Sequence, residues 1–157
     1  MIVKDSASST LARIVDGRIV ASVEIAVPPE RVFKALSTSE VTSWWVKPGV
    51  FDTREWTGDV RVGGRWRVTG MARGAPYALE GEYLEVDPPR RLVHTWRGAP
   101  EGPPSTVTYV LVPSSTGTLL TVYHDGVQSP TASEGITAGW DSSLRALAGR
   151  LSPPVEP

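Results

Sequence analysis

Six consecutive segments typical of short β-strands precede one amphipathic helix near the C-terminus, and this order limits the fold more than any other feature. The apolar residues of the helix follow one another at spacings of four, four, three and four residues, at Ile136, Trp140, Leu144, Leu147 and Leu151. Short, locally connected strands predict an antiparallel sheet with strong curvature. We therefore expect the helix to lie across the concave face of the sheet. The strand candidates, each bounded by Gly, Pro, Ser or Asp, cover residues 50–56, 64–71, 77–86, 91–97, 106–112 and 118–124.

The chain before these strands predicts a β-hairpin. Asp16 and Gly17 suit the two central positions of a type I′ turn, which both need a positive φ. β-branched residues lie on both sides of the turn, at 11–15 and 18–27. We expect these two segments to pair.

Two short helices are predicted to follow the hairpin. Prolines are tolerated in the first turn of a helix, so the Pro-Pro pair at 28 and 29 predicts a start, with an apolar stripe at Val32, Phe33 and Leu36. The second helix is predicted to have Thr38 or Ser39 as its N-cap and to end at Trp44-Trp45, before the Pro-Gly pair at 48 and 49.

Length and composition exclude several classes of protein. The 157 residues suit one domain, expected at 11–151, between a frayed N-terminus (1–10) and a flexible tail (152–157). A net charge of −1 and no basic block argue against nucleic-acid binding. The chain has no cysteine, no apolar run long enough for a membrane span and no signal-peptide pattern, so we expect a cytoplasmic protein, monomeric or dimeric.

Tryptophan is unusually frequent, with six residues against two phenylalanines. Each such ring buries roughly 150–250 Å², on the order of 4–6 kcal/mol apiece as an upper bound. The chain therefore has either a bulky core or a cavity lined with aromatic rings. Neighbouring helical residues point about 100° apart, so we expect one of Trp44 and Trp45 to pack inward and the other to reach the surface or a cavity mouth. Trp56 alternates with Asp52 and Arg54 and is expected to be half exposed.

Several segments resemble, in order, the START/Bet v 1-like superfamily, and its branch named for the C-terminal domain of the activator of Hsp90 ATPase. They are VPPERVFKAL at 27–36, DVRVGGRW at 59–66, DPPRRLVHTW at 87–96, GTLLT at 117–121 and GW at 139–140, the last resembling the start of the final helix. The resemblance covers roughly residues 11–151. It implies an α+β helix-grip fold, in which a curved antiparallel sheet of six to seven strands wraps around a long C-terminal helix, with two short helices after the first strand.

The superfamily includes lipid and hormone carriers, polyketide cyclases, small-molecule sensors and co-chaperone modules, so function has to be argued from the site. In this fold a cavity lies between the sheet and the long helix, and alternate residues of each strand face it. The predominantly apolar faces of four strands are 64, 66, 68 and 70, then 92, 94 and 96, then 107, 109 and 111, then 120, 122 and 124. For Tyr83, Leu84 and Val86, alternation does not decide which side chains face inward. We expect the cavity to be lined by Trp45, Trp66, His94, Trp96, Tyr109, His124 and Trp140.

Candidate catalytic groups are few. His94 and His124 are the only histidines, and each is either a general base or polar anchor in the cavity or a hydrogen-bonded core residue. They lack chelate spacing, so no metal or cofactor is expected. Alternation puts Glu80 and Glu82 on the solvent face, opposite the arginines at 65 and 67.

The sequence favours binding of a small hydrophobic or aromatic molecule over catalysis. Two alternatives stay open: a protein-interaction module like the Hsp90 ATPase activator domain, and a cyclase- or hydrolase-like enzyme that uses a cavity histidine.

Overall fold

A nine-stranded antiparallel sheet, two short helices and one long helix make up this computed structural model, which describes residues 10–98 and 103–152. The strands are β1 Thr10–Val15, β2 Arg18–Ile25, β3 Val46–Lys47, β4 Phe51–Gly58, β5 Arg65–Ala72, β6 Ala75–Asp87, β7 Arg91–Trp96, β8 Ser105–Ser114 and β9 Gly117–Asp125. The helices are α1 Pro29–Leu36, α2 Val41–Trp44 and α3 Pro130–Leu151. The sheet order is β1-β2-β9-β8-β7-β6-β5-β4-β3.

The helix-grip fold is confirmed, but the sheet has nine strands instead of six or seven. The two-residue strand β3, at one edge of the sheet, is too short to produce an alternating pattern in the sequence. Pairing at the other edge already starts at Thr10, opposite Val23. The expected frayed residues 1–9 and the tail beyond Ser152 lie outside the described residues.

The predicted hairpin is confirmed. Asp16 has a φ of 52° and Gly17 a φ of 78°, as a type I′ turn requires, and Val15 pairs with Arg18 across the turn. β2 also pairs with β9, so the N-terminal hairpin joins the sheet next to the last strand of the chain.

Helix α1 buries the predicted stripe of Val32, Phe33 and Leu36. Helix α2 ends at Trp44 as expected, but its N-cap is Glu40, so the prediction of Thr38 or Ser39 as the cap was wrong. The physical reason is that the backbone already turns before the helix, because Val41 N donates to Thr38 O at 3.0 Å.

Helix α3 begins well before the point that the family resemblance indicated. Its N-cap is Ser129, whose side chain accepts a hydrogen bond from Ala132 N at 3.2 Å, so Gly139 lies inside the helix and does not start it. The predicted apolar stripe faces the sheet and is buried from Trp140 onward, while Ile136 is half-buried. On the solvent side, Arg145 Nε donates to Asp141 Oδ2 at 3.1 Å.

A β-bulge in β4 changes which residues face inward. The register shifts between Thr53 and Glu55, with Arg54 as the extra residue, so Thr53 and Trp56 lie on the same face of the strand. Trp56 is half-buried as expected, but it does not share a face with Asp52 and Arg54. It pairs instead with the buried Val68 on the inner face.

A second bulge, in β6, determines which side chains around Tyr83 face inward. Tyr83 pairs with His94 and Val86 pairs with Leu92, so both face inward although they are three positions apart in the sequence. Leu84 is the extra residue and is 46% exposed. The β4 bulge therefore adds the Trp56 ring to the concave side of the sheet, and the β6 bulge adds Val86 next to Tyr83.

Candidate functional site

A pocket of about 400 Å³ lies between the first half of α3 and the strand ends of β3, β4, β5 and β6. Its walls are mainly aromatic and aliphatic and include Phe51, Leu79 and Ile136. The pocket reaches the surface where the β5–β6 turn exposes Arg73. Its size and its apolar lining are those of small-molecule binding sites.

The inner wall is an aromatic cluster centred on Trp45. Its ring lies 5.3 Å from that of Trp96, 5.7 Å from Trp140, 5.8 Å from Trp44 and 6.3 Å from Trp66, measured between centroids. Both Trp44 and Trp45 are buried, so neither reaches the surface; Trp45 lines the pocket instead. Trp44 Nε1 donates to Ala35 O at 2.8 Å, which fixes α2 and hence Trp45 against α1.

Small residues on α3 leave the space that the pocket occupies. Ala132, Gly135 and Gly139 line it at spacings of three and four residues, so they share one face of the helix. A Cβ atom at Gly139 would lie 3.7 Å from the Phe51 ring, and at Gly135 it would meet no atom within 4 Å. Helical side chains larger than alanine at these positions would therefore fill the pocket.

His124 lies behind the pocket wall and is held in one tautomer. Trp140 Nε1 donates to its Nδ1 at 3.1 Å, and an indole N–H can only donate, so Nδ1 carries no proton. Its Nε2 therefore carries the proton and donates to Ser105 Oγ at 2.7 Å, and that hydroxyl donates to Trp96 O at 3.2 Å. Burial, with a smaller contribution from His94, lowers the pKa of His124 to about 3.

His94 is also buried and neutral. Its Nδ1 donates to the carbonyl of Thr95 at 2.9 Å, and burial lowers its pKa to about 4. The ring packs against Trp66, with centroids 4.8 Å apart, and against Tyr109 at 5.7 Å. Burial raises the pKa of the Tyr109 hydroxyl, so this aromatic centre carries no charge at neutral pH.

The seven residues predicted to line the cavity form three groups. Trp45, Trp96 and Trp140 line the 400 Å³ pocket. Trp66, His94 and Tyr109 surround a separate void of about 10 Å³ on the other side of Trp45, which has room for about one water molecule. His124 stacks on Trp96 with centroids 4.3 Å apart.

Sequence reasoning missed the residues of the pocket that come from strand ends. Phe51, Tyr77, Lys47 and Arg73 all line it. Tyr77 is held by a hydrogen bond between its hydroxyl and Thr53 Oγ1, and burial raises its pKa. Alternation along the strands does not indicate these residues, because the curvature of the sheet brings two hairpin ends under α3.

No group of three or more His, Asp or Glu side chains within residues 10–98 and 103–152 is placed to hold a metal ion. In the same part of the chain, no helix is long and apolar enough to cross a membrane.

The family described as "Activator of Hsp90 ATPase homolog 1-like protein" matches residues 26–152, which include all the elements that form the pocket. The chain belongs to this family. The match leaves out all of β1 and β2, so it does not cover the N-terminal hairpin at the sheet edge. No curated protein matches the chain significantly.

Solved structures of similar proteins agree with this AHSA1-like assignment. A protein from Chromobacterium violaceum is 29% identical, with a TM-score of 0.76 over 89% of this chain and 100% of that one. An AHSA1 protein from Silicibacter pomeroyi is 26% identical, with a TM-score of 0.71 over 85% of this chain and 96% of that one. A protein of the dynemicin biosynthetic locus is 22% identical, with a TM-score of 0.71 over 87% of this chain and 48% of that one, and shares the fold.

Proposed function

We propose that this AHSA1-like protein binds a small molecule with an apolar, aromatic body in the pocket beneath α3. The observation that carries the proposal is the pocket itself, about 400 Å³ with three tryptophan rings in its wall. Flat rings stack well on such a wall, and each aromatic contact adds about 0.5–1.5 kcal/mol beyond the area it buries.

The state of the histidines favours binding over catalysis. Both ring nitrogens of His124 have partners inside the protein, and His124 is 1% exposed. A general base needs a nitrogen within hydrogen-bond reach of the substrate proton. His94 is 5% exposed and borders the smaller void of about 10 Å³, which has no room for a substrate.

The outer face of the sheet gives less support to a protein-interaction module. Val112 and Leu119 pair there and are 48% and 37% exposed. Glu24 and Thr121 lie next to them in the sheet, so the apolar area is small and interrupted. Extended apolar patches mark partner surfaces, and single exposed apolar side chains are normal.

The test measures the binding of N-phenyl-1-naphthylamine, a neutral aromatic probe. Binding is detected by the fluorescence of the probe and by energy transfer to it from the pocket tryptophans. The unmodified protein should bind it, and Gly139→Leu should weaken binding at least tenfold, because the added side chain must share the pocket with Phe51. Gly149→Leu is the matched control, since Gly149 lies on the same helix with no atom within 4 Å of its Cβ position. Equal binding by the two variants would contradict the proposal.

A second experiment addresses the natural ligand. Native mass spectrometry of the protein purified from its own host should show a co-purifying small molecule. If extracts rich in lipids and aromatic compounds change neither the mass nor the tryptophan fluorescence, the binding proposal fails.

A further inference from the structure

Two cationic side chains lie at the rim of an otherwise apolar pocket. Lys47, in β3, and Arg73, in the β5–β6 turn, both line it. Among the described residues that line the pocket, none is an Asp or a Glu. The charge that the described lining residues bring to the pocket is therefore positive.

The backbone holds the two cations on one rim. Arg73 N donates to Val50 O at 2.8 Å, and Val50 N donates to Lys47 O at 2.9 Å, so the β5–β6 turn and the β3–β4 connection are tied together. The turn itself is tightly specified, with a φ of 51° at Arg73 and 81° at Gly74. The fold therefore fixes the backbone positions of Lys47 and Arg73.

Neither cation is neutralised within the described part of the chain. Most arginines there have a carboxylate partner, such as Arg18 with Asp125 at 2.7 Å and Arg67 with Glu80 at 3.1 Å. No described carboxylate lies within the 4.0 Å ion-pair distance of Lys47 or Arg73. The carboxylate of Asp52, next to the rim in sequence, accepts from Arg54 Nε at 2.8 Å.

We infer that the ligand is an amphipathic organic anion, whose aromatic body lies against Trp45, Trp96 and Trp140 and whose anionic head meets Lys47 and Arg73 at the rim. This inference rests on the proposed function and adds the chemical class of the ligand. Guanidinium and ammonium groups recognise carboxylate, sulfonate and phosphate oxygens by charge-assisted hydrogen bonds. Such a ligand would enter with its apolar end first and keep its head near solvent.

The test compares two probes that share one aromatic body. 1-Anilinonaphthalene-8-sulfonate carries an anionic head, and N-phenyl-1-naphthylamine has the same rings without it. The protein should bind the sulfonate more tightly, and only the sulfonate affinity should fall as salt is added. In the Lys47→Gln/Arg73→Gln double variant, the Kd of the sulfonate should rise about tenfold, while the Kd of the amine stays within about twofold.

Two control variants separate specific recognition from overall charge. Lys47→Arg/Arg73→Lys keeps both charges and should keep the sulfonate affinity. Arg13→Gln removes one exposed positive charge from β1, at the opposite edge of the sheet, and should leave both affinities unchanged.

The outcomes distinguish the two proposals. Equal loss of both probes in the double variant, or equal affinity for both in the unmodified protein, overturns the anion inference and leaves the binding function intact. Failure of both probes to bind the unmodified protein overturns the proposed function and the inference with it.

Discussion

The two halves of α3 pack against the same sheet with opposite results. Residues 130–139 present small side chains and border a pocket of about 400 Å³. Apart from Trp140 and Ser143, which border the pocket, residues 140–151 close the core with Leu144, Leu147 and Leu151, none more than 5% exposed. One helix therefore both closes the core and opens a site, and the difference lies in the side chains it carries.

This difference shows how a small domain can keep a cavity and still be stable. A cavity in a core costs free energy because the atoms around it lose contacts. Here the closed half of the interface supplies the packing, with Leu144 and Leu147 fully buried, and the open half is left to the ligand. Stability should therefore depend mainly on the closed half of α3, and ligand binding on the open half.

The largest expected effect is in the closed half. Leu144→Ala should lower the free energy of unfolding by about 2–5 kcal/mol, because it removes a fully buried side chain from a packed core. Ile136→Ala, in the open half, should cost only about 1 kcal/mol, since Ile136 is half-buried and borders the pocket. Urea unfolding measures both, and equal losses would contradict the division.

Acid should destabilise the protein through the two buried histidines. The folded-state pKa values, about 4 for His94 and about 3 for His124, lie below the ordinary value of 6.5. The unfolded chain therefore takes up protons first, and stability is full above about pH 6.5 and falls as the pH drops toward 4 and 3. The slope should reach at most about 1.4 kcal/mol per pH unit for each histidine, or a few kcal/mol between pH 7 and 5.

The variant His94→Gln provides the check on that pH dependence. It should remove about half of the slope between pH 7 and 5 measured by urea unfolding. A slope that is absent in the unmodified protein, or undiminished in the variant, would show that the buried histidines are not its source.

The smallest expected effect is a gain in the open half. Gly135→Ala should raise the free energy of unfolding by about 0.5–1 kcal/mol, because alanine favours helix and its Cβ would meet no atom within 4 Å. Probe affinity should stay nearly unchanged, since one methyl group occupies little of the pocket. A loss of stability in thermal unfolding would show that this face of the helix is more crowded than its neighbours indicate.

The local rules of the sequence predicted most of the fold. The Asp-Gly turn, the Pro-Pro helix start and the leucine spacing of α3 each follow from backbone preference or periodicity over a few residues. The prediction of which side chains face inward was wrong at Trp56, because the single extra residue Arg54 reverses the alternation. The same effect at Leu84 brings both Tyr83 and Val86 inside, and no local signal in the sequence indicates where a strand will bulge.

The pocket was predictable only on its inner side. Trp45, Trp96 and Trp140 follow from helix and strand faces, whereas Lys47 and Arg73 depend on how far the sheet curls. That curvature is a property of all nine strands together and cannot be inferred from any one segment.

The tryptophan cluster also has an optical consequence. Five of the six indoles are linked by centroid separations of 5.3–6.3 Å, so their transition dipoles couple and excitation passes among them faster than it is emitted. A quencher that reaches Trp96 at the pocket wall would therefore darken the buried Trp44 as well. The strong far-ultraviolet indole bands should show the same coupling as a paired band of opposite signs in circular dichroism, which makes the unlabelled protein a reporter of its own occupancy.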